Sequence, residues 1–148
     1  MLQEDSPGAR QREKEVALTA VADTRLLLTL EFPPDKETKR RVEVATTHEL
    51  THRLLAPTIV LTEFMKIAGV RIGEATARLR LRLLKERGLH TLALSEEMAL
   101  SAGSLLVKHQ EIPIADALIA SPVKLGEADY VVTDDPHYKV LGIRTKWF

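Results

Sequence analysis

The sequence has no cysteine, few aromatic residues and no excess of charge of either sign. Without cysteine it has no disulfide framework, no thiolate zinc site and no cysteine nucleophile, so any metal must be held by oxygen or nitrogen ligands. Basic and acidic residues number 21 each, and a net charge of zero points to neither a nucleic-acid nor a membrane partner. No apolar run is long enough to cross a bilayer, and the polar first fifteen residues do not resemble a signal peptide, which together predict a cytoplasmic protein.

The pattern of apolar residues predicts one α/β domain. We predict a flexible tail over residues 1–15 and a single domain over residues 16–148, which is long enough to bury a hydrophobic core. Predicted strands alternate with predicted helices, which favours a three-layer α/β/α fold with a central, mostly parallel sheet. Strands are predicted at residues 16–22, 54–56, 90–94, 130–133 and 143–147, and helices at 24–32, 36–52, from Thr58, at 72–87, from the cap Ser95 to about 110, and from Pro113.

Four acidic residues are predicted at one edge of this sheet. Asp23 and Asp135 follow strands, whereas Glu63 and Asp116 lie early in helices that begin at the edge where parallel sheets bind ligands. Each acid alone has an ordinary explanation as a helix cap, a partner of the helix dipole or a solvent-facing side chain. Four carboxylates at one edge repel one another, however, unless a cation neutralises them. We therefore predict a site for a hard divalent cation, Mg²⁺ or Mn²⁺.

Asp134 competes with Asp135 for the last of these positions. Neighbouring side chains at a strand end point to opposite faces, so one of the two is expected to reach the other acids. We favour Asp135.

Four segments resemble, in order and spacing, the four acidic motifs of the PIN-domain nucleases, a family that includes the VapC-like small ribonucleases. The resemblance covers nearly all of the chain after residue 15. It implies a PIN-like nuclease domain that hydrolyses RNA, with Asp23, Glu63, Asp116 and Asp135 as the metal-binding catalytic acids and the Thr133 hydroxyl helping to position them. The segments are ADTRLLL at 22–28, VLTEFMK at 60–66, IPIADALIAS at 112–121 and VVTDDPHY at 131–138.

The resemblance also implies partners. Many small proteins of this pattern are toxins of toxin–antitoxin pairs, in which an antitoxin protein blocks the acidic pocket, and they commonly form homodimers. The sequence does not distinguish such a toxin from an RNA-processing nuclease.

The chain departs from the family pattern at two positions. His137 stands where the family often has another acid, so a fifth acidic ligand is not expected. Pro122 replaces a small residue and is predicted to end or kink its helix near Ser121, because proline lacks the amide donor. We expect an altered wall of the active site with the four acids still in place.

Other functions have some support in the sequence. The segment HELTH at His48 to His52 matches the H-E-x-x-H pattern of zinc metalloproteases, but Arg53 and the lack of an evident third ligand favour a chance match on an exposed helix. A non-catalytic PIN-like scaffold that binds RNA or a protein is disfavoured by the presence of all four acids.

Two further groups of residues are open to more than one interpretation. Six basic residues between Arg71 and Arg87 form either an RNA-contacting patch or a solvated helix face. Trp147 and Phe148 are expected to pack on the last strand or in a dimer contact rather than to bind bases.

Overall fold

The computed structural model describes residues 18–148 as an α/β domain with one parallel sheet. The predicted tail and the start of the predicted first strand, Val16 and Ala17, lie outside the described residues. In chain order the strands are β1 (Thr19–Ala22), β2 (Arg53–Pro57), β3 (His90–Leu92), β4 (Tyr130–Val132) and β5 (Thr145–Lys146). They form one sheet in the order β3-β2-β1-β4-β5, and every pairing between them is parallel.

Helices connect the strands and flank the sheet, which confirms the predicted three-layer α/β/α fold. In chain order they are α1 (Thr24–Glu31), α2 (Lys36–Thr51), α3 (Thr58–Ile72), α4 (Glu74–Glu86), α5 (Glu96–Lys108), α6 (Ile114–Lys124) and α7 (His137–Val140). The short helix α7 was not expected from the sequence. None of the helices in residues 18–148 is long and apolar enough to cross a membrane.

The neighbouring strands β1 and β4 end at the edge of the sheet where the acids were predicted. All residues of both strands are buried, as expected for strands covered on both faces. Ala22 pairs with Val132, so the carboxyl ends of the two strands lie side by side. Asp23 and Thr133, the residues that follow these strands, therefore start from neighbouring positions.

Two of the predicted helix starts differ in the structure. Thr58 does not cap α3: Pro57 takes the cap position and no side chain caps the helix. The helix predicted at 72–87 begins only at Glu74, because Gly73 has a φ of 88°, a backbone conformation that breaks the helix and that glycine adopts without steric cost. The predicted cap Ser95 is confirmed, since its hydroxyl accepts a hydrogen bond from the Met98 amide at 3.1 Å.

Helix α6 continues through Pro122 to Lys124, so of the two predicted effects of this proline, an end or a kink near Ser121, the end is wrong. A proline at this position cannot donate an amide hydrogen bond to the carbonyl of Leu118, four residues earlier. The Ser121 hydroxyl donates to that carbonyl instead, at 2.7 Å. The Ser121 side chain thus supplies the hydrogen bond that the proline cannot form, and the helix continues to Lys124.

Candidate active site

The four predicted acids line one open cleft of about 750 Å³, called the acid cleft below. Each acid comes from a different part of the chain. Asp23 follows β1 and Asp135 lies beyond the end of β4, while Glu63 lies in the second turn of α3 and Asp116 in the first turn of α6. The parallel sheet therefore brings together residues that are far apart in sequence.

Asp23 is the most deeply buried of these acids, with 5% of its surface exposed. The Thr133 hydroxyl donates a hydrogen bond to Asp23 Oδ2 at 2.7 Å and accepts one from the Asp135 amide at 3.0 Å. Thr133 thus links Asp23 to the backbone of Asp135, a contact that its expected positioning role requires. Burial raises the pKa of Asp23 to about 6; the hydrogen bond from Thr133 opposes this shift, and the charge of Asp116 adds to it.

His137 forms a compact group with Asp116 and Asp135. Its Nδ1 lies 2.6 Å from Asp116 Oδ2 and 3.2 Å from Asp135 Oδ1, and its backbone amide donates to Asp135 Oδ1 at 2.9 Å. One ligand atom from each of the three residues lies within 4.8 Å of the other two. The hydrogen bond with Asp116 raises the pKa of His137, whereas burial raises the pKa of Asp116.

Glu63 and Asp134 have other partners in the acid cleft. The Thr24 hydroxyl donates to Glu63 Oε1 at 2.6 Å. Asp134 also lines the cleft, but its carboxylate forms an ion pair with Arg25. Adjacent acids at the end of β4 therefore have different partners, and Asp135 is the one that joins Asp116.

Tyr138 was not singled out from the sequence, yet its hydroxyl belongs to the surroundings of Asp23. The side chain is fully buried, and within residues 18–148 the hydroxyl forms no hydrogen bond of good geometry, although Asp23 is near enough to interact with it. Burial, and after it the charge of Asp23, raises the pKa of Tyr138. No sequence pattern marked this residue, because its burial depends on tertiary contacts such as that of α7 with α6.

The rest of the acid cleft carries cations and aromatic rings. The Arg71 guanidinium lies 4.9 Å from the centre of the Phe32 ring, and the ring centres of Trp147 and Phe148 are 4.2 Å apart. Trp147 and Phe148 pack against the core, as expected, and also form part of the cleft wall. The arginines in the cleft wall are Arg25, Arg41 and Arg71.

The basic stretch from Arg71 to Arg87 does not form one patch at this cleft. Of its six basic residues, Arg71 is the one that lines the acid cleft. Arg78 pairs with Glu74 on its own helix, and Arg80 pairs with Glu31. Two of the three arginines in the cleft wall, Arg25 and Arg41, therefore come from outside the basic stretch that the sequence suggested.

The HELTH segment lacks the geometry of a zinc protease. Helix α2 ends at Thr51, so His52 lies beyond the helix, and its Nδ1 is 3.0 Å from the backbone carbonyl of His48. Glu49 is buried rather than exposed, and it accepts hydrogen bonds from the Tyr130 hydroxyl at 2.7 Å and from Lys146 Nζ at 3.0 Å. Glu49 therefore bonds to Tyr130 and Lys146 inside the protein and is not free to activate water.

Solved structures with this fold come from several bacteria. VapBC2 of Rickettsia felis, bound to a promoter DNA fragment, has a TM-score of 0.68 at 16% identity and covers 88% of this chain and 98% of its own. Mycobacterium tuberculosis VapC20, a toxin that cleaves the sarcin–ricin loop, has a TM-score of 0.68 at 14% identity, with coverages of 84% and 96%. A toxin–antitoxin complex from Klebsiella pneumoniae has a TM-score of 0.59 at 20% identity, with coverages of 80% and 88%.

Family membership follows from the sequence match. No curated protein matches the chain in sequence. The family model described as the PIN domain, in contrast, matches residues 20–143. This span contains β2, β3, β4 and all of β1 except its first residue, and it ends before β5. That span also contains the four acids and His137. The chain therefore belongs to the PIN domain family.

Proposed function

We propose that this chain is a divalent-metal-dependent endoribonuclease. The observation that carries the proposal is the convergence of carboxylates from four separate segments on one cleft, whose remaining walls hold arginines and aromatic rings. The acids provide a cation site, and the arginines and rings provide contacts for a polyanion with stacking bases. Both halves of such a site are needed, because the acids alone repel phosphate.

The acid cleft fits a divalent cation by its donor set. Asp23 is buried beside Asp116 and Asp135, and burial and like charge both oppose its ionisation. A bound cation removes that conflict. We propose that Asp23, Glu63, Asp116 and Asp135 hold Mg²⁺ or Mn²⁺, which would lower the pKa of an attacking water and stabilise charge on the leaving oxygen.

Other residues of the cleft position the acids and the substrate. Thr133 holds Asp23 and the Asp135 backbone in fixed relation, and Thr24 orients Glu63 through its hydroxyl. Arg41 and Arg71 are placed to contact backbone phosphates, whereas the Trp147 ring offers a surface for base stacking. The reaction expected of such a site leaves a 5′-phosphate and a 3′-hydroxyl.

The proposal includes a role as the toxin of a toxin–antitoxin pair. Support comes from the similarity in fold to the M. tuberculosis toxin and to the K. pneumoniae toxin–antitoxin complex. An antitoxin would act by covering the acid cleft, and the homodimer that the family resemblance implies belongs to the same proposal. The non-catalytic scaffold is less well supported, because the acids are present and are held together by specific hydrogen bonds.

Cleavage of a loop-containing RNA by the purified chain tests the activity. We expect cleavage that requires added Mg²⁺ or Mn²⁺, stops with EDTA and is lost in Glu63→Gln. The matched control is Glu127→Gln, since Glu127 is exposed and lies outside the acid cleft. Cleavage that survives chelation contradicts the proposal, and RNA binding without cleavage at any metal concentration supports the scaffold instead.

A further inference from the structure

The position of His137 suggests more than a replacement for a missing acid. Its ring is the one imidazole within residues 18–148 that belongs to a group of potential metal ligands, together with Asp116 and Asp135. The ring projects Nδ1 toward both carboxylates rather than toward solvent alone. The backbone amide of the same residue fixes Asp135, so the ring and the carboxylate are held in one local unit.

The distances within this group match the spacing of ligands around one small cation. In an octahedral site with metal–ligand bonds of about 2.0–2.1 Å, adjacent ligands are roughly 2.9 Å apart. His137 Nδ1 lies 2.6 Å from Asp116 Oδ2 and 3.2 Å from Asp135 Oδ1, values on either side of that spacing. A cation can therefore replace the proton of the hydrogen bond between His137 Nδ1 and Asp116 Oδ2 with only small movements of the side chains.

A second observation indicates that a ligand completes this site. The Tyr138 hydroxyl, next in sequence to His137, is fully buried and forms no hydrogen bond of good geometry within residues 18–148, although Asp23 is near it. Buried hydroxyl groups in folded proteins almost always have a partner, which can be an ordered water or an ion-bound group. The unsatisfied hydroxyl lies close enough to Asp23 and Asp116 for their charges to act on it.

We propose that His137 is itself a metal ligand through Nδ1, so that this enzyme has a mixed oxygen and nitrogen site that prefers transition-metal ions such as Mn²⁺ to Mg²⁺. This inference rests on the proposed function, because it needs the acids to bind a metal. The chemical reason is that Mg²⁺ is bound almost entirely by oxygen, whereas divalent transition-metal ions also accept imidazole nitrogen, Mn²⁺ the least strongly among them. An acid at this position would leave the site entirely oxygen-based.

The competing role for His137 is that of a hydrogen-bond donor. A protonated imidazole between two carboxylates neutralises part of their charge without any metal. The two roles differ in one measurable respect, because a ligand nitrogen lies next to the bound metal and a displaced hydrogen-bond donor does not. The ¹⁴N nuclei of the His137 ring therefore couple measurably to bound Mn²⁺ only if His137 is a ligand.

Pulsed electron paramagnetic resonance of Mn²⁺ bound to the full chain makes this distinction. We expect ¹⁴N modulation in the wild-type protein, its loss in His137→Asp, and its retention in His90→Gln, a control whose histidine is exposed on β3. His137→Ala, which has no side-chain nitrogen, provides a second deletion of the ligand if the aspartate variant folds poorly. In parallel, titrations followed by thermal melting should show that the Mn²⁺ to Mg²⁺ affinity ratio falls by roughly tenfold or more in His137→Asp.

The outcomes separate this inference from the function on which it rests. If Mn²⁺ binds without ¹⁴N modulation and the affinity ratio is unchanged in His137→Asp, the ligand role of His137 is wrong and the four-acid metal site stands. If neither wild type nor His137→Asp binds Mg²⁺ or Mn²⁺, the metal site itself is wrong. Modulation that persists in both His137 variants also overturns the assignment, because the nitrogen must then come from another residue.

Discussion

At the scale of single residues, the partners of a side chain decide the role it can take in the acid cleft. Asp134 and Asp135 are chemically identical neighbours, but the first pairs with Arg25 and the second is held by the amide of His137 near Asp116. A carboxylate already neutralised by an arginine contributes less to cation binding than one that faces other acids. The sequence alone placed both residues at the end of the same strand and could separate them only by the alternation of side-chain directions.

This difference predicts unequal effects of two matched substitutions. Losing an outer partner of a metal site costs about 10–100-fold, so Asp135→Asn, which removes a ligand, should reduce cleavage by at least about a hundredfold. Asp134→Asn should reduce cleavage by about tenfold, the lower end of that range. Cleavage rates of the two variants, measured at saturating Mn²⁺ on one RNA, provide the check. Equal losses would show that both carboxylates serve the metal.

At the scale of helices and strands, most of the architecture could be predicted because it depends on local patterns. Buried parallel strands appear as short apolar runs, and helices as longer segments bounded by caps and prolines, so β1, β2, β4 and the long helices were located correctly. Errors arose where one residue's tertiary setting decided the outcome. Gly73 moves the start of α4 from the predicted Ile72 to Glu74, and Ser121 supports a helix that Pro122 was expected to end or kink.

The contact between Ser121 and Leu118 predicts a non-additive effect on stability. Ser121→Ala leaves the Leu118 carbonyl without its hydroxyl donor and should cost about 1–3 kcal/mol, because the serine is fully buried. In a Pro122→Ala background the new amide can donate to the same carbonyl, so the serine substitution should cost less there. Urea unfolding of the four proteins in this cycle measures the coupling. Strict additivity would mean that the hydroxyl does not replace the missing amide bond.

At the scale of the whole molecule, the fold holds several carboxylates close together at a cost in stability. The resemblance of four motifs to a known family predicted which acids meet, but the sequence did not predict the parts of the site that α7 contributes. His137 and Tyr138 reach the acids only because this short helix packs beside α6, a long-range contact with no local signature. The acids, the imidazole and the buried hydroxyl are thus one product of the tertiary structure.

The raised pKa of Asp23 predicts the direction of a pH effect in the metal-free protein. The pKa rises from 3.8 to about 6 on folding, so between these values the folded state binds more protons than the unfolded state. The contribution of Asp23 to stability is therefore present below about pH 4 and is lost as pH rises through about 6, with a total change of about 3 kcal/mol. Other groups titrate in the same range, so the comparison between variants is the informative quantity.

Urea unfolding with EDTA from pH 4 to 7.5 measures this effect. Asp23→Asn should lack the loss seen in the wild type and should gain stability relative to it as pH rises. Glu127→Gln, an exposed substitution, serves as the control and should follow the wild type. Parallel pH profiles for wild type and Asp23→Asn would show that Asp23 ionises normally in the folded protein.

Substitution of Asp116 should affect metal binding and the stability of the metal-free fold in different ways. Burial and the charge of Asp135 oppose its ionisation, so Asp116→Asn should leave the metal-free fold at least as stable as the wild type. Metal that binds only the native state stabilises it by about 2.7 kcal/mol at a hundredfold excess over its dissociation constant, so wild type should melt at a higher temperature with Mn²⁺ while the variant barely changes. If Asp116 only interacts with the helix dipole of α6, the substitution should cost roughly 0.3–1 kcal/mol and leave the metal response intact. Thermal melts of both proteins, each with EDTA and with Mn²⁺, decide between these roles. The ligand role predicts no loss of stability with EDTA and a lost Mn²⁺ response, whereas the dipole role predicts a loss with EDTA and an intact Mn²⁺ response.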